Sequence, residues 1–355
     1  MEKKYTNRSA FKLLRMTGIY AAAAFAICFI VLFSLNSSIV FAATTGAQAA
    51  ANTANAKASA GNAETPAPTS ANKPVLTLKG VPAGAQDIAF SFDDKYCTYM
   101  YQSKLYVKDM KTGGTLKAIT GNAITSPVLM SDRDILLYFT PGSGTITLNT
   151  YNIDNGQSTK QTSFSYPAGS KVKAVTYSNA TNLVYVNIEQ TKNGSETDAV
   201  YLINIMKNVQ TVSLSTVVNN MVLLGKTNSL YYNNAQNTVY MNGKPVSGLQ
   251  KSKVIGRDAE DRVYAQSANS AGAIYILENG KLFKTLTLPD TNVNKYYADQ
   301  KGVYAVYSGY LVNLTGDMQS KLQYDSGLEF LGIGGSNAYF RDAGGDIVGL
   351  PSSIG

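Results

Sequence analysis

At 355 residues the chain is long enough to bury a core that needs neither metal nor disulfide. It contains no His and no Trp but 24 Tyr, and only 15% of its residues are charged; without histidine, Ser-His-Asp and Cys-His catalysis and His-ligated zinc or copper sites are excluded. The formal charge of +8 is front-loaded, with Lys3, Lys4, Arg8, Lys12 and Arg15 against Glu2 giving +4, and the remaining +4 spread without a basic run, a pattern that argues against nucleic acid as a partner.

Residues 1–15 read as a basic cytoplasmic n-region. Met16 to Leu35 follow without a charge, a stretch long enough to span a bilayer as a helix with its basic flank inside. Two outcomes stay open for residues 16–42: retention as a single-pass signal-anchor, or cleavage after Val40-Phe41-Ala42. Both place the remainder outside the membrane, as a membrane-tethered or secreted domain. Ile27 before Cys28 disfavours a lipoprotein, and Cys97 is then the single exported thiol, a usage that suits a bacterial envelope. Cys97 lies in a strand-like run without a His or Cys partner and reads as a small buried hydrophobe.

Residues 43–73 are low-complexity Ala, Thr, Asn and Ser with Pro66 and Pro68, which predicts a disordered linker. From residue 74 onward short β-type runs recur. One strand type carries an apolar residue before Tyr, at Tyr106, Tyr151, Tyr201, Tyr240 and Tyr275, spaced 45, 50, 39 and 35 residues apart. It continues more weakly through Tyr310-Leu311-Val312-Asn313 and Ile347-Val348-Gly349-Leu350. A second strand precedes each, for instance Thr98 to Tyr101, Ile135 to Phe139 and Leu183 to Ile188, and seven such pairs can be counted. Asn155-Gly156, Asn242-Gly243 and Asn279-Gly280 read as type I′ hairpin turns, and Asn193-Gly194 as part of a longer loop.

Short strands turned tightly and repeated at a period near forty predict an all-β, seven-bladed β-propeller over residues 74–355, six and eight blades being the adjacent counts. The last repeat stops at its third strand near Leu350, while Val75-Leu76-Thr77-Leu78 stands unclaimed. This N-terminal strand is therefore expected to complete the seventh blade and remove an exposed edge.

The repeats open with Phe90-Ser91-Phe92-Asp93-Asp94-Lys95-Tyr96, Leu129-Met130-Ser131-Asp132-Arg133-Asp134 and Thr176-Tyr177-Ser178-Asn179-Ala180-Thr181. These segments resemble the Phe-Ser-Pro-Asp-Gly-Lys turn of the WD40-like repeats in TolB-type propellers, with Phe92 and Asp94 standing where that family has Pro and Gly. The resemblance implies an architecture and not a ligand. The separate N-terminal α/β domain of periplasmic TolB proteins is missing, so their partners do not transfer.

No Gly-x-Ser-x-Gly elbow, calcium loop or Asp box is present, and no cofactor is implied. Asp93-Asp94, Asp132-Asp134 and Asp258-Glu260-Asp261 sit in turns and read as turn-capping groups. Tyr106, Tyr201, Tyr240 and Tyr275 recur at one repeat position and read as packing between blades. The less regular Tyr166, Tyr296, Tyr297 and Tyr324 are candidates for a contact surface. Loops between second and third strands and between blades ring a propeller's channel, so Glu189 to Asp198, Ser267 to Ala273 and Phe164 to Ser170 add Glu189, Lys192, Asn193, Asp198 and Asn269 to the candidate face. The expected function is a non-catalytic envelope module that binds a protein, with wall glycan binding as the alternative and a carboxylate-dependent hydrolase or lyase behind it.

Overall fold

The computed structural model describes residues 72–352 except 122, 131, 179, 193, 205–207, 213, 215–216, 300, 317 and 319. The expected membrane or signal segment and all but the end of the linker lie outside the described residues. Among the described residues no helix is long and apolar enough to cross a membrane.

Seven four-stranded antiparallel sheets follow one another as blades 1 to 7, over residues 86–119, 125–165, 171–212, 219–245, 252–287, 295–323 and 329–351. In the first six the strands run from inside to outside in sequence order. Blade 7 supplies only three strands, and its outermost is Leu76–Leu78, paired with Ile347–Gly349. The closure expected from the unclaimed N-terminal strand is the one observed. It leaves Leu78 only 1% exposed and joins the two ends of the described chain in one sheet.

Second and third strands are the most apolar, because they lie between neighbouring blades on both faces. Seven buried clusters result, each spanning two adjacent blades: Leu105 and Val107 with Leu136 and Tyr151 join blades 1 and 2, and Tyr324 with Phe330 and Phe340 joins blades 6 and 7. Cys97 is fully buried in the cluster between blades 7 and 1, and burial pushes its thiol up to about 12. The recurrent Tyr106 and Tyr240 are half-buried; they stack on Tyr99 and Tyr232, their cross-strand partners in the same blade, at 5.1 and 5.3 Å, and they pack against the clusters that blades 1 and 4 share with the preceding blade.

The turns divide by length. Asn242-Gly243 and Asn279-Gly280 connect strands directly, and both residues of each have positive φ, at 49° and 81° and at 51° and 76°. Asn155-Gly156 departs from expectation: a four-residue connection separates Asn152 from Gln157, and only Gly156 is left-handed, at 71°. Asn152 Oδ1 accepts the Asn155 N–H and Asn155 Oδ1 accepts that of Gln157, so the side chains build the turn. The loop expected from Glu189 to Asp198 is also corrected. Its residues continue the ladder to Lys192 opposite Ser195, because antiparallel pairing satisfies backbone groups that a loop would leave to water.

A β-bulge interrupts the inner strand of every blade but the sixth. Each bulge turns a residue of the inner strand relative to its neighbours, which is how an edge strand can aim side chains into a central channel.

Candidate functional site

The antiparallel order places the turns between first and second strands, and between third and fourth, on one face of the disc, here the turn face. The opposite loop face carries the second-to-third connections and the blade-to-blade crossings. The channel has a mouth on each.

Candidates from the sequence scatter over this frame. Tyr324 is buried between blades 6 and 7 and its hydroxyl donates to Tyr307 O. Asp198 is 3% exposed at its side chain, where it accepts from Val218 N at 2.6 Å, Lys173 Nζ at 3.2 Å and Asn187 Nδ2 at 3.4 Å, holding blade 4 against blade 3. Tyr166 is half-buried against the cluster of blades 2 and 3, while Asn269 is exposed in a five-residue connection. Glu189 is half-buried in the ladder opposite Asp198. Asn193 lies outside the described residues, and Lys192 is placed by its backbone alone. The fold brings two candidates to the channel from one inner strand, Lys295–Ala298: Tyr296 lines the loop-face mouth and Tyr297 the turn-face mouth.

The turn-face mouth is a cavity of about 390 Å³ to which all seven blades contribute. Ile88, Leu129, Val175, Met221 and Ile255 form apolar walls, with Phe92, Tyr177 and Tyr297 as aromatic surfaces. Phe92, at 37% exposure, is one of few exposed large hydrophobic side chains. Tyr297 packs edge-on against Phe330 at 5.4 Å, and burial raises its phenol.

Charged groups at this mouth are engaged. Arg257 donates to Asp261 Oδ1 at 3.0 Å, and Lys301 donates to Gly334 O at 2.8 Å and to Gly335 O. Asp299 accepts the Lys301 and Gly302 N–H groups at 2.8 and 3.0 Å, and burial lifts its carboxyl to about 6 against those bonds. Among the described residues it is the single carboxylate lining the cavity. Two-carboxylate glycoside hydrolysis needs a second within roughly 5–10 Å across the same pocket.

The polar groups beside the mouth hold neighbouring blades together. Asp94, with φ of 61°, accepts five hydrogen bonds from the corresponding turn and second strand of blade 7: Gly335 N and Ser336 N at 2.6 Å, Tyr339 Oη at 2.8 Å, Ser336 Oγ at 2.9 Å and Asn337 Nδ2 at 3.0 Å. The acid standing where the repeat pattern has Gly thus reaches across the ring's closing interface. Asp261, with φ of 68°, does the same for blade 4 through Gly225 N at 3.0 Å and Lys226 N at 2.6 Å.

No family model matches the sequence, and no curated protein matches it. Solved structures do. A chain from a crystal structure of a mitotic checkpoint complex superposes with a TM-score of 0.53 at 10% identity, over 81% of this chain and 98% of that one. The dipeptidyl peptidase 4 of Porphyromonas gingivalis gives 0.47 at 13% identity over 72% of this chain, which spans about half, 48%, of the peptidase. The β-propeller domain of the trilobed protease from Pyrococcus furiosus, described as having an open velcro topology, gives 0.47 at 14% identity, over 66% and 85%. At these identities the likeness concerns the fold.

The loop-face mouth is a second cavity, about 440 Å³, lined by Asn220, Lys253, Val254, Ile255, Gln266, Val293, Asn294, Lys295 and Tyr296. Among the described residues its lining holds two cations, three amides and no carboxylate. Sequence reasoning missed Arg257, Asp299 and Lys301 on one face and Lys253 on the other. The available signal was positional, because ends of inner strands face a propeller's lumen.

Proposed function

We propose that the chain is a non-catalytic binding module of the cell envelope, delivered by residues 16–42 and engaging a protein partner at the turn-face mouth. The observation that carries this reading is the mouth itself: an apolar, aromatic cavity built by seven blades, whose charged groups are already held by the fold. Such a site offers burial to an apolar or aromatic side chain of a partner, and it offers no pair of groups for acid-base work. The repeat resemblance to TolB-type propellers is compatible with this reading, as is the hydrophobic N-terminal segment.

A photoreactive phenylalanine analogue at position 92 of the full-length chain, illuminated in intact cells, tests the proposal. One discrete protein adduct from position 92 and none from position 116, on the exposed outer strand of blade 1, is expected. No adduct, or the same adduct from both positions, overturns it.

A further inference from the structure

The loop-face mouth differs chemically from the turn-face one. Lys253 and Lys295 hold the same register position in adjacent blades, opposite Gln266 and Val306 of their second strands. Both sit on inner strands and line the same cavity. Lys173, on the inner strand of blade 3, is neutralised by Asp198 at 3.2 Å. Lys253 is exposed and has no hydrogen-bond or ion-pair partner among the described residues. Lys295 donates to Phe330 O at 2.6 Å and lies 5.1 Å from that ring's centre, contacts that fix its position without cancelling its charge. Glu329 faces Lys295 from blade 7 but lies outside the cavity lining and pairs with Arg341 at 4.0 Å.

Asn220, Gln266 and Asn294, amides without a side-chain partner among the described residues, line the same cavity as the two lysines. Asn220 sits in the inner-strand bulge at φ of 47°, the backbone device that turns it toward the lumen. Tyr296 completes the wall, and its hydroxyl is buried without a partner among the described residues. Amides both donate and accept, which suits hydroxyl groups. Lysines are point charges without arginine's planar fork, so they suit a tetrahedral oxyanion better than a bidentate carboxylate. The volume falls in the range of about 300–1,000 Å³ found for small-molecule sites.

The geometry points to a binding site for a phosphorylated sugar or polyol unit in the loop-face mouth, with Lys253 and Lys295 on the phosphate and Asn220, Gln266 and Asn294 on the hydroxyls. The site lies on the face opposite the proposed protein contact and stands independently of it. The phosphate ester can come from a free metabolite or from a phosphate-bearing polymer.

Isothermal titration of the full-length chain in mild detergent tests it, with inorganic phosphate, glycerol 3-phosphate, glucose 1-phosphate, glucose and glucuronate as probes. Glucose 1-phosphate is expected to bind more tightly than inorganic phosphate, glucose and glucuronate hardly at all, and added salt to weaken the interaction. Lys253→Ala should weaken it by roughly 10- to 100-fold, Lys253→Arg should restore part of that loss, and Lys117→Ala on the outer strand of blade 1 should change nothing. A longer phosphodiester oligomer that outcompetes glycerol 3-phosphate would assign the site to a polymer, and equal affinities would assign it to a free metabolite. Absence of phosphate binding in a folded protein, equal binding of glucuronate, or indifference to Lys253→Ala overturns the proposal.

Discussion

The two mouths of one channel are built from the same strand order and put their polar groups to different use. On the turn face, Asp94, Asp261 and Lys301 reach across blade boundaries, Arg257 is held by Asp261 within blade 5, and what remains open is apolar. On the loop face between blades 4 and 6, Lys253 and three amides lining an open cavity have no side-chain partners among the described residues. A propeller has no single core to close it, so its ring needs polar contacts between blades wherever apolar ones end. Where a face carries polar groups beyond that need, they are available to a ligand.

The sharpest way to break this contrast is at the closing interface. Asp94→Ala removes five hydrogen bonds and strands the amides of Gly335 and Ser336, and should lower stability by roughly 2–4 kcal/mol in a denaturant titration, more than Asp261→Ala. Gly256→Ala comes next. A Cβ there would sit 2.1 Å from that of Ala298 on the neighbouring inner strand, so about 1–3 kcal/mol should be lost to overpacking.

Asp299 tests the electrostatics of the turn-face mouth. The folded chain holds its proton up to about pH 6, whereas an unfolded Asp releases it near 4. Ionisation therefore opposes folding: stability falls as pH rises from about 4 to about 6 and stays lowered above that. Asp299→Asn keeps the acceptor for Lys301 and Gly302 and should stabilise the protein by about 1–3 kcal/mol at pH 7.5, with the gain vanishing near pH 4. Thermal melts of both proteins across that range measure it. At the small end, Lys253→Ala should change stability by less than about 0.5 kcal/mol, because it removes no partner from the fold. A large loss there would place Lys253 among the groups that close the ring.

Legibility in the sequence followed locality. Second and third strands were readable because their apolar-Tyr pattern and flanking turn residues are local, and the two-residue Asn-Gly hairpins followed from φ preferences alone. Even the closing strand was readable, since a propeller with an incomplete last blade and a spare N-terminal strand has one economical solution. Inner strands were harder to read, because their bulges shift the alternation that betrays a half-buried strand. The tyrosines Tyr185, Tyr231, Tyr264, Tyr304 and Tyr339 illustrate the point. Each stands opposite the penultimate residue of an inner strand, a regularity that appears only once register is known.

Composition and periodicity by themselves determined the absence of histidine chemistry, a propeller repeat of about seven blades and the expectation that Leu76–Leu78 closes it, because each depends on residue type or on short-range order along the chain; the structure fixed the count at seven. Only the tertiary structure decided that Asp198 and Tyr324 belong to the fold, that Asp94 ties blade 1 to blade 7 across more than 240 residues of sequence, and that Lys253 and Lys295 share a cavity. Burial and the hydrogen bonds across blade boundaries depend on groups brought together from separate blades, and no stretch of sequence contains both Asp94 and the amides of Gly335 and Ser336 that it holds.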